Sequence, residues 1–93
     1  MDPETVSIVL TRGTTAKALM NSEVFVAAMQ DLENYHVTAM VACLPGDGEK
    51  ATRDHHHLLL FALREIASQL AGYVQAGDEV GKALEEPDLE DEL

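Results

Sequence analysis

The sequence predicts an all-α chain: an antiparallel helical hairpin with an additional short N-terminal helix and an acidic, partly disordered C-terminal tail. Three observations carry this. From Glu23 to Leu44 there is no glycine or proline, and apolar residues recur at three- and four-residue steps. "PGDG" at 45–48 then places a proline, two glycines and an aspartate in four positions, which marks a tight turn. Beyond it a second helical pattern begins, and two long helices joined by a short turn make an αα-hairpin. The expected division is a hairpin domain over residues 1–77 and an acidic tail over 78–93.

The first helix is announced by Asp2-Pro3-Glu4, which supplies an N-cap, a proline in the first helical position and an acid in the first turn. The β-branched "TVSIVLTRG" that follows also suits a strand, but the cap and the helix-rich remainder favour helix. Gly13 is expected to end or bend it, with "TTAKALM" (14–20) adding a further turn or two. Asn21-Ser22 caps the second helix, whose apolar stripe runs through Phe25, Met29, Leu32, His36, Met40 and Cys43. The third helix is expected from Gly48 to Ala76, with Asp47 capping its start and Gly77 its end. Gly72, inside it, is read as a mark of close helix approach. A short helix and an acidic end follow.

Ninety-three residues support one small domain, and without tryptophan its core must be mainly aliphatic. A lone Cys43 excludes an internal disulfide framework, fits a reducing compartment, and is read as a small buried hydrophobe. Seventeen acids oppose six bases; residues 78–93 hold eight acids and Lys82, so −7 of the net −11 lies there. Direct nucleic-acid binding is therefore not expected, because phosphate contacts need Lys and Arg. No apolar run is long enough to span a bilayer, and "MDPETVS" lacks the basic start of a signal peptide, so no membrane partner is expected.

Chemistry-bearing residues concentrate in "RDHHHLLLFALREI" (53–66). Successive helical residues point about 100° apart, so His55, His56 and His57 cannot converge on one ion. A hairpin pivoting near 46 or 47 places position 56 opposite roughly 37. His36 then approaches His56, with Asp54 or Glu33 near, as a candidate pH-sensing or metal cluster. The simpler reading is hydrogen-bonded histidines at the margin of an apolar face. No catalytic group and no cofactor are expected, since no acid, base and nucleophile are visibly arranged.

Leu58, Leu59, Leu60 and Phe61 cover nearly every direction around the third helix. One helical partner cannot cover them all, so the N-terminal segment (Val6, Ile8, Val9, Leu10) and a second copy are both expected to contribute. The residues assigned to association are Leu58, Leu59, Phe61, Leu63, Ile66, Leu70 and Tyr73.

Residues 10–79 resemble small helical proteins of tailed bacteriophages, encoded among head and packaging genes. The likeness lies in Arg12-Gly13 before Ala16 and Leu19, in Phe25 after its cap, and in Leu63, Ile66 and Leu70 leading to Gly77. It implies a non-enzymatic virion or assembly component, located in the virion or host cytoplasm. Such a component would self-associate and dock on a capsid, portal or neck protein. The acidic balance supports an alternative, a nucleic-acid mimic that inhibits a host nuclease or defence complex. A small His-rich metal-binding protein is the third reading.

Overall fold

The computed structural model describes residues 2–85, and every regular element among them is helical. Helix α1 spans Pro3–Met20, α2 spans Glu23–Ala42 and α3 spans Asp47–Glu85. The all-α hairpin with its N-terminal helix is therefore present. Residues 86–93, half of the expected acidic tail, lie outside the described residues, whereas 78–85 belong to α3. The chain divides into two compact units. In one, α1 associates with residues 69–85 of α3; in the other, α2 associates with residues 47–68 of α3.

The caps follow local chemistry. The Asp2 carboxylate accepts from the Thr5 backbone N–H at 2.8 Å and from its hydroxyl at 2.9 Å. The first of these occupies an otherwise orphaned backbone donor at the helix start, and the second ties the Thr5 hydroxyl to the same cap. Ser22 Oγ accepts from the Phe25 N–H at 3.4 Å to open α2. That helix ends at Ala42 rather than Leu44, with Cys43 as C-cap, its N–H donating to the Met40 carbonyl at 3.2 Å. In the turn Gly46 takes φ 135°, a conformation side chains disfavour. The Glu49 carboxylate accepts from the Leu44 N–H, and Arg53 donates to the Leu44 carbonyl at 2.9 Å. Asp47 is the first helical residue of α3, one position earlier than expected.

In the unit with α2, the sheltered positions of α3 include 49, 53, 56, 60, 63 and 67; in the unit with α1 they include 70, 74, 77 and 81, each set alternating steps of four and three, a seven-residue repeat. A 3.5-residue period within each unit is the signature of helices packed along a seam. Along α2 and its two caps, Ser22, Met29, His36 and Cys43 are sheltered at the same seven-residue spacing. On α1 the sheltered residues are Val6, Val9, Leu10, Gly13, Ala16 and Met20. Both pairings are antiparallel: Glu33 meets Arg64 while Leu44 meets Arg53, and Leu10 approaches Gly81 while Gly13 meets Gly77.

Four expectations about this packing need correction. Gly13 neither ends nor bends α1 but lies within an uninterrupted helix. Gly77 does not cap α3, which continues to Glu85 instead of giving way to a separate short helix. The two glycines face each other across the seam: a Cβ built on Gly13 would lie 3.0 Å from Gly77 Cα and 2.9 Å from the Tyr73 carbonyl oxygen. Their role is backbone proximity and not backbone freedom. Gly72 marks no close approach, since a Cβ there meets nothing within 4 Å. Finally, the N-terminal helix pairs with residues 69–85 of α3, so Leu58, Leu59 and Phe61 stay exposed.

Candidate functional site

Two features of the unit formed by α2 and residues 47–68 carry chemistry or recognition. The first is a histidine pair. His36 and His56 occupy seam positions on facing helices, and their Nδ1 atoms stand 2.9 Å apart. His36 is 8% exposed and His56 half-buried. Tyr35 packs its ring edgewise on both, with centroid separations of 5.1 and 5.9 Å. The imidazole centroids are 5.2 Å apart, about as distant as two rings can be with nitrogens at that spacing, so the nitrogens point at each other. A hydrogen bond in this geometry needs one ring to donate Nδ1–H and the other to accept on a bare Nδ1.

The other members of the predicted cluster do not join this pair. His55 and His57 are exposed, with His55 only edge-on to His56 at 5.7 Å. Asp54 turns to Lys50 at 2.8 Å, and the ammonium holds its carboxyl below the usual range. Glu33 pairs with Arg64 at 3.1 Å. Among the described residues no group of three or more His, Cys, Asp or Glu side chains could hold a metal ion. The head-to-head nitrogens also aim at one another and not at a common third point, whereas chelation requires converging lone pairs.

The second feature is an apolar outer face on α3. Leu58, Ala62 and Ile66 recur at four-residue steps, with Phe61 beside Ala62 three residues after Leu58. At 100° per residue Leu58 points nearly opposite the seam residues Leu60 and Leu63. Leu58 is 63% exposed, Phe61 57% and Ile66 49%. Leu59 lies at the flank, also exposed. Of the seven residues assigned to association, these four face outward, whereas Leu63, Leu70 and Tyr73 are half-buried within the chain. The seam beneath includes Glu49, Arg53, His56 and Ala67, so this stretch of α3 carries more large apolar side chains outside than inside.

The unit formed by α1 and residues 69–85 has its own groove of about 510 Å³, walled by Ile8, Thr11, Leu19, Leu70 and Tyr73. Arg12 lies over the Tyr73 ring, 5.1 Å from its centroid, a cation–π contact at the groove's edge. Cys43, half-buried, donates its thiol hydrogen to the Ala39 carbonyl at 3.3 Å. Sequence reasoning missed this groove and the head-to-head orientation. The seven-residue spacing of His36 with Met29 and Cys43, and of His56 with Leu63 and Leu70, was the available signal for the seam. Among the described residues no helix is long and apolar enough to cross a membrane. No family model matches the chain, and no curated protein or solved structure matches it at a significant level.

Proposed function

We propose that this chain is a non-enzymatic assembly component that self-associates and docks on a structural partner through the outer face of α3. One observation carries the reading: Leu58, Phe61 and Ile66 form an exposed apolar stripe on a helix whose opposite side is already occupied. Fully burying a large apolar side chain contributes roughly 1.5–3 kcal/mol, and about half of that is still available at each of these three. Contiguous apolar surface of this kind favours association. The partner class, a capsid, portal or neck protein of a tailed phage, rests on the sequence resemblance alone. The test is native mass in solution for the intact chain and for a Leu58→Glu/Phe61→Glu double variant. Both positions are exposed, so helicity should be retained while the oligomer dissociates. An intact chain that is monomeric at every concentration, or a double variant with unchanged mass, overturns the proposal.

A further inference from the structure

We propose that His36 and His56 form a proton-operated latch between α2 and α3, closed with no added proton or one and opened by the second. In the neutral pair one ring donates Nδ1–H to the other's bare Nδ1 across 2.9 Å. The first added proton goes to the donor ring's free nitrogen. That leaves the bond in place and makes it charge-assisted. The second proton must go to the acceptor, which removes its lone pair and sets two N–H groups and two cations head to head.

Among the described residues no carboxylate is hydrogen-bonded to either ring to offset that clash. On α2, Glu33 lies one turn before His36, but its carboxylate is engaged by Arg64 at 3.1 Å. Tyr35 presents only its ring to the pair. On α3, Asp54 is engaged by Lys50 at 2.8 Å, while Arg53, His55 and His57 add only actual or potential positive charge. His36, almost wholly buried, cannot turn its charge to water without parting the helices. The separated helices therefore bind more protons than the closed pair, and closure weakens as pH falls. The latch stands on this geometry and is independent of the assembly role.

Two measurements test it. In the ¹⁵N-histidine-labelled intact chain at about pH 8, where imidazole is mostly neutral, long-range ¹H–¹⁵N correlations should show opposite tautomers, one ring Nδ1–H and the other Nε2–H. Nε2–H tautomers in both rings would leave no donor between them and overturn the latch. Unfolding equilibria between about pH 8 and 5 form the second arm, with the constant rising up to tenfold per pH unit for each proton taken up. Asp2 and Asp54 do not interfere there, since both carboxyls are held below 3.8. His56→Gln keeps a hydrogen-bonding group but removes one titrating ring, so its profile should flatten. Equal slopes for the two proteins also overturn the proposal, and if the variant does not fold the tautomer measurement decides alone.

Discussion

Replacing Gly13 by alanine should destabilise the protein, whereas the same replacement at Gly72 should stabilise it. Both glycines are helical, and alanine gains about 0.5–1 kcal/mol over glycine in a helix interior. The difference is space. A Cβ at Gly13 would meet the Tyr73 carbonyl oxygen at 2.9 Å and Gly77 Cα at 3.0 Å, whereas a Cβ at Gly72 meets nothing within 4 Å. The atoms it strikes are backbone, so no rotamer change relieves the clash and α1 must lift away from α3. Overpacking of this kind costs about 1–3 kcal/mol. After subtraction of the propensity gain, Gly13→Ala should lose up to about 2.5 kcal/mol, with a mid-range value of about 1 kcal/mol. Gly72→Ala should gain up to about 1 kcal/mol. At 4–8 °C per kcal/mol for a chain of this size, the two melting temperatures should move apart by roughly 10 °C or more. Thermal and urea unfolding followed by circular dichroism measure both. A Gly13→Ala protein as stable as the parent would show that the two backbones do not meet as described. A Gly72→Ala protein destabilised to a similar extent would refute the spatial argument in favour of some general need for glycine.

Two further outcomes are expected. Leu60, 6% exposed, is the large side chain most deeply placed in the α2–α3 seam, so Leu60→Ala should cost about 2–5 kcal/mol in urea unfolding, and a loss below about 1 kcal/mol would show that the seam is not packed around it. The Asp2 carboxyl is held below its usual 3.8, first by the Thr5 backbone N–H and then by the Thr5 hydroxyl. Its contribution to α1 is therefore complete above 3.8 and lost as pH falls through the lower folded value. Asp2→Asn should reduce the acid sensitivity of the α1 amides in hydrogen exchange, and an unchanged acid profile would exclude the cap as its source.

Local signals announced the helices because each of those signals acts within a few residues. Asp2-Pro3 and Ser22 satisfy helix N–H groups in their own first turns, and Gly46 bends the chain where it stands. The same locality explains the failures at Gly13, Gly72 and Gly77. Glycine is chosen for backbone freedom in some places and for absence of bulk in others, and only a neighbour from elsewhere in the chain distinguishes the two. The approach of His56 to His36 follows from antiparallel register and was therefore within reach of counting residues from the turn. Their head-to-head orientation was not, because ring rotation depends on Tyr35 packing against both.

By itself the sequence determined an all-α chain, the N-terminal caps at Asp2 and Ser22, the turn at 45–48 and an excess of apolar residues on the third helix over what one neighbour can cover. These are properties of composition and spacing, and they survive in any arrangement of the helices. Tertiary structure alone decided which apolar side chains went inside. It placed Leu60 and Leu63 in the seam and left Leu58 and Phe61 outside, although all four lie within six consecutive residues. The reason is geometric: a helix turns 100° per residue, so one neighbour shelters one stripe, and which stripe that is depends on how α2 lies against α3.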